Sequence, residues 1–281
     1  MHDWQIEATA IALDSAVSSA DYRDALTSID NPFDGYMVFQ VRVYLSKEGP
    51  TSASAYLALA TNQIDYDWDW DAANTWLMEA AALEPGSSEI LRVRSNLSWA
   101  LGNLDQAINL REQAVALDPL RADSFLDLGY LLYVAGRYDK AQAELGKALD
   151  LNPQAAFGHF TLGLILISEG KPEQALSEIE KEPNEWGKLT SQALVYHALG
   201  REQDSNAALF ELIAKHHTDS AFQIAQAYAF RGESDKSFEW LERAYQQRDA
   251  GLTMIKTDPL LKYLHQDRRY HELLKKIHPP T

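Results

Sequence analysis

From about residue 54 onward, apolar side chains recur along the chain at steps of three and four rather than two, the pattern of helices that bury one face. The runs are short and are punctuated in a regular way. Gly102 in ALGNLDQA, Gly136 in VAGRYDKA and Gly170 in SEGKPEQA each separate two apolar runs, and Pro85, Pro119 and Pro153 each follow the second run. A glycine there can take the left-handed conformation that ends a helix. A proline stops the next helix and restricts the residue before it. The pattern predicts antiparallel helix pairs. Beyond Pro183 it continues less strictly: 194–200 (LVYHALG) ends one helix and 201–215 is its partner, and 221–232 and 234–248 form another pair. Asp258-Pro259 then breaks the chain, and a short helical tail ends near Ile277. At the other end, 33–47 contains VFQVRVYL, which alternates as a strand would. A helix is assigned there because its neighbours need one to stack on.

The punctuation is periodic. The three prolines lie 34 residues apart, and so do the three glycines. The alanines Ala73, Ala107, Ala141 and Ala175 share that step, as do Ala80, Ala114 and Ala148. A period of 34 resembles the tetratricopeptide repeat (TPR). The resemblance implies an all-α fold, a right-handed superhelical solenoid of antiparallel helix pairs. Frames begin at about 54, 88, 122 and 156. The 122–155 frame fits best, with Phe125, Leu128, Gly129, Leu132, Ala141, Leu145, Ala148 and Pro153 at the signature places. The next frame keeps Leu162, Gly163, Leu166, Ala175 and Ile179, but Glu182 stands where an alanine belongs and Pro183 comes early, so its second helix is expected to be short. The organisation read from this is a degenerate helical repeat or cap at 1–53, four in-register units at 54–187, two degenerate pairs at 188–250 and a helical cap at 251–281.

Two further strings narrow the resemblance. YDWDW at 66–70 is one; the other is the C-terminal stretch with Gly232, Asp235, Trp240, Leu241, Glu242, Ala244, Arg248, Asp249, Lys256, Asp258 and Pro259. Together they are similar to the TPR region that follows the effector in bacterial winged-helix regulators, class III adenylate cyclases and some kinases. The chain departs by having Ser237 for an alanine and QDRRY at 266–270. The resemblance implies a bacterial signalling or regulatory role, as a stand-alone relative or an excised region.

Composition removes several functions. The net charge of −16 repels phosphate backbones and anionic membranes, which argues against nucleic acid as a partner. No stretch approaches 18 uncharged apolar residues, so no membrane insertion is expected. The acidic N-terminal string does not read as a signal peptide, and the expected compartment is the cytoplasm, or the periplasm for a region excised from an anchored regulator. With no cysteine there is no thiol chemistry and no Cys-type zinc site. His271-Glu272 opens like a zincin, but Lys275 stands where the second histidine is needed. Asp65, Asp67, Asp69 and Asp71 resemble the start of a calcium loop, but Trp70 and Trp76 occupy the glycine and glutamate places. The aromatics of that string are expected to fill gaps between helices, with Asp71 capping the next helix. No nucleotide-binding loop is present, and no nucleophile is paired with a base. The expectation is a chain with no enzyme activity, cofactor or metal.

The groove of such a solenoid is the remaining candidate. Its concave face is lined by places 2, 5, 9, 12 and 13 of each frame. The 88 frame places Arg92, Asn96 and Trp99 there; the 122 frame, Asp123, Leu126, Tyr130 and Tyr133; the 156 frame, Phe157, Phe160 and Leu164. The groove is aromatic in the middle and polar at the Arg92–Asn96 end. That suits a largely apolar segment of a protein or peptide. Asp127 stands where a carboxylate-binding groove needs an asparagine and would repel an acidic tail. Self-assembly into homo-oligomers and a sensory site for a small apolar ligand are the alternatives.

Overall fold

Sixteen helical segments follow one another in a computed structural model that describes residues 52–277, and no strand occurs among the described residues. The reading of 33–47 as a helix, with almost all of the 1–53 cap, lies outside them. The α-helices pair as antiparallel hairpins: α1 (Ala53–Asn62) with α2 (Trp70–Leu83), α3 (Ser88–Ala100) with α4 (Leu104–Leu117), and α5 (Ala122–Val134) with α6 (Tyr138–Leu151). Then come α7 (Gly158–Ser168) with α8 (Pro172–Ile179), α9 (Glu185–Ala198) with α10 (Glu202–His216), and α11 (Ala221–Phe230) with α12 (Ser234–Gln247). Two 3-10 turns (Ala250–Met254 and Pro259–Leu264) and α13 (Arg268–Ile277) end the described chain. The molecule is an all-α helical repeat solenoid.

The junction inside each hairpin from α3 to α12 is the same device repeated. Gly102 has φ +86°, its N–H donates to the Trp99 carbonyl at 2.7 Å, and the Asn103 N–H reaches the Ser98 carbonyl at 2.8 Å. Gly136, at φ +70°, does the same through Tyr133 and Leu132. These paired bonds satisfy carbonyls that the helix end would otherwise leave open. The helices can then lie close because small residues stand where they cross. Ala73, Ala107, Ala141 and Ala175 are fully buried. A Cβ on Gly129 would sit 2.6 Å from Leu145 Cγ, and one on Gly163 would sit 2.5 Å from Ile179 Cγ2. Ser237, which takes the alanine place in α12, is also fully buried. Its hydroxyl donates to the Ala225 carbonyl at 2.8 Å, so the polar atom is satisfied.

The YDWDW string follows a different course from the one expected. The first helix of its hairpin runs on as a π-helical turn, Gln63–Asp67, and Trp68 then adopts φ +56°. Asp69, not Asp71, caps α2: its carboxylate accepts the Ala72 N–H at 3.0 Å. Trp68 is buried in a cluster with Leu252, Ile255 and Leu261 from the end of the chain, and its ring stacks on Tyr245 of α12 with centroids 5.4 Å apart. The short second helix expected after Gly170 is present as the eight residues of α8.

Candidate functional site

The first helices of successive hairpins, α3, α5 and α7, turn one face toward a common cavity of about 480 Å³. Trp99, Leu126, Tyr130, Phe157, Phe160 and Trp186 form its apolar lining, and Asn96, Arg111 and Asp127 its polar end. The aromatic rings touch in sequence. Trp99 and Tyr130 have centroids 5.6 Å apart, Phe157 and Trp186 4.7 Å, and Phe160 and Trp186 6.3 Å.

The expected groove residues divide into two groups. Asn96, Trp99, Asp123, Leu126, Tyr130, Phe157 and Phe160 line the cavity. Tyr133 and Leu164 do not: they are 2% and 1% exposed and lie in the central core, in one cluster with Ile224 and Ala227 of α11 and with Leu260. Arg92 stands behind the wall, where its guanidinium pairs with Glu89 at 2.8 Å and lies 3.7 Å from Asp127.

Arg111, on the second helix of its hairpin, is a member that frame counting does not select. Its side chain is 2% exposed, with ion pairing to Asp127 at 2.9 Å and a hydrogen bond to Asn96 Oδ1 at 2.6 Å. Burial pulls its proton affinity down and Asp127 restores part of it. Asp127, which spoils a carboxylate clamp, is thus the partner of a buried arginine.

The fourth wall is the chain's own C-terminal part. Gln223 and Gln226 of α11 and Met254 face the cavity from the side opposite α5. The Trp99 indole N–H donates to Thr257 Oγ1 at 2.7 Å, across 158 positions of sequence. Arg248 lies 4.6 Å from the Trp68 ring centroid and within cation–π distance of Tyr66 and Tyr245. The concave face is therefore a half-open pocket, walled on one side by the chain's own C-terminal part, and not the bare groove that the repeat pattern alone suggests. Asp258 sits below it, 2% exposed, accepting the Leu260 N–H at 2.8 Å and a hydrogen bond from Gln226. Burial pushes its pKa up to about 6. Burial, with Asp258 nearby, also pushes the Tyr130, Tyr133 and Tyr270 hydroxyls up.

The site holds polar groups that can orient a ligand. No helix among the described residues is long and apolar enough to cross a membrane.

Comparison with known proteins gives a consistent picture of the fold. No curated protein sequence matches the chain. Among solved structures it is similar to the Cut9–Hcn1 hetero-tetramer of the APC/C, at 15% identity and TM-score 0.60 over 90% of this chain, which spans 48% of that one. It is similar to a tetratricopeptide repeat protein from Parabacteroides merdae, at 17% identity and TM-score 0.55, over 88% of this chain and 92% of that one. A thermophilic TPR protein of Thermus thermophilus, at 18% identity and TM-score 0.55, covers 67% of this chain and is itself covered in full. Residues 98–161 match the tetratricopeptide repeat family model, and the hairpins on either side of them continue the same all-α repeat solenoid.

Proposed function

We propose that the chain is a non-catalytic binding module that receives a short, largely apolar segment of a protein partner in the pocket between α3, α5, α7 and the C-terminal segment. The observation that carries this reading is the aromatic cavity of about 480 Å³, a volume typical of ligand sites. Its Trp, Tyr and Arg residues are the types that dominate binding energy, and TPR proteins as a class bind peptides and proteins. The resemblance of the YDWDW and C-terminal strings to regulator TPR regions supports a role in bacterial signalling or regulation, in the cytoplasm. In this reading 54–187 supply the regular repeats, 188–250 two degenerate pairs, and 251–281 the cap that covers the pocket.

Selection from a displayed peptide library tests it. Enriched sequences should share an apolar core and lose binding to Leu126→Glu and Met254→Glu variants that keep wild-type helicity. Failure to enrich any apolar consensus, or equal binding by those variants, would sink the reading. The cover over the concave face favours one second reading, a small apolar ligand in place of a peptide. Native mass spectrometry of the purified chain distinguishes the two, since a retained small molecule adds a discrete mass that Leu126→Glu abolishes.

A further inference from the structure

The alanine ladder Ala80, Ala114, Ala148 reaches position 182 at its next step, and the residue there is glutamate. The three alanines are fully buried at their helix crossings. Glu182 is buried too, at 3% exposure, yet it belongs to no helix, because α8 ends at Ile179 and the chain turns. Its carboxylate points back to the start of α7. One oxygen accepts the Phe157 and Asn184 N–H groups, each at 3.0 Å, and the other accepts the Phe160 N–H at 3.0 Å.

Helix α7 needs this. Its N-cap residue is Phe157, whose side chain has no acceptor for the free N–H groups of the first turn. Phe157 also stands at φ +69°, where a bulky side chain persists only if its surroundings hold it. In that conformation its ring lies tilted at 35° against Trp186 with centroids 4.7 Å apart, and both rings line the cavity. Gly187 leaves room for it: a Cβ there would lie 3.3 Å from Phe157 Cδ1. The break in the repeat and the aromatic wall of the pocket are therefore one construction.

We infer that Glu182 is a positioning residue of the binding pocket: by capping α7 from a distance it holds Phe157 in its left-handed conformation and so sets the Phe157–Trp186 wall that an apolar ligand meets. This rests on the pocket being the binding site, and the test separates the two claims. The full chain is labelled with 5-fluorotryptophan, the Trp186 resonance is assigned with Trp186→Phe, and binding is measured with the neutral apolar dye Nile red.

In Glu182→Ala the Trp186 resonance should move toward that of free fluorotryptophan while the Trp76 resonance stays, and the dye should bind roughly tenfold more weakly. Glu182→Gln keeps one acceptor oxygen for Phe157 and Asn184 but turns an amide toward the Phe160 N–H. It should give an intermediate shift and an intermediate loss, and it carries the test if the alanine variant does not fold. A Trp186 resonance unchanged in both variants overturns the inference. A shifted resonance in a protein whose wild type does not bind the dye, or binds it equally well as Leu126→Glu, leaves Glu182 as the residue that positions the wall and removes the pocket reading instead.

Discussion

The stretch from α3 to α6 and the rest of the described chain follow different rules. In the first, every hairpin repeats one solution: a Schellman glycine, a buried alanine at the crossing, an exposed leucine such as Leu117 or Leu151 before the terminating proline. In the second, the rules are broken wherever the chain does something besides stacking. Among the described residues, the non-glycine positions with positive φ are Trp68, Phe157 and Arg248, all outside 88–155. Phe157 lines the pocket wall, and Trp68 and Arg248 join the two ends of the solenoid. Regularity builds the scaffold, and departures from it build the site and its cover.

The largest effects should separate the two stretches by their reach. Leu145→Ala empties a fully buried position in the regular stack and should cost about 2–5 kcal/mol in urea unfolding. Protection from hydrogen exchange should fall throughout α3–α8. Trp68→Ala should cost a similar amount, about 3–5 kcal/mol, but with exchange rising mainly at 250–277 and little change in α5 and α6. Equal loss across the molecule in both variants would mean that cap and stack unfold as one unit and the distinction fails.

A somewhat smaller effect is expected from Asp258. Its folded pKa is about 6 against an ordinary 3.8, because burial disfavours the charged form. The folded state therefore holds a proton that the unfolded state has released, and stability falls as pH rises from about 4 to about 6. The penalty persists above that window and is relieved below it. Asp258→Asn should reduce this slope by about 1–3 kcal/mol, leaving the share of the other buried carboxyls Asp65 and Asp249, and wild-type and variant melts at pH 4 and 7 would measure the difference. Identical slopes would place the charge elsewhere.

Arg248→Ala should cost about 0.5–2 kcal/mol through its lost cation–π contacts, and should act on exchange at 250–277 alone. The smallest change should come from Arg137→Ala, which removes an exposed pair with Asp105 at 2.6 Å. Less than about 0.5 kcal/mol is expected. A larger loss would mean that the regular repeats depend on inter-repeat charge as well as on packing.

Much of the scaffold was legible from residue types alone. Gly102 and Gly136 mark helix ends because their φ requires it, and Ala107 and Ala141 mark crossings because larger side chains would not fit. Seven of the ten groove positions counted from the frames line the cavity. Arg111 escaped the count because it comes from a second helix and reaches the cavity through its length. Tyr133 and Leu164 were counted as groove because their own helices place them there, and nothing local announces that α11 covers them. Asp71 was taken as a cap because a π-helical turn leaves no clear periodic trace.

The repeat, its period, the helix ends and the face each helix presents are written in residue types, since they depend on contacts within one hairpin and between neighbours. The meeting of the two ends of the solenoid is not. The bond from Trp99 to Thr257, the stacking of Arg248 on Trp68 and the covering of the groove by Gln223, Gln226 and Met254 depend on the summed rotation of all the hairpins between them. That sum is a property of no single repeat, and it brings α11 and the C-terminal turns to the open side of the groove.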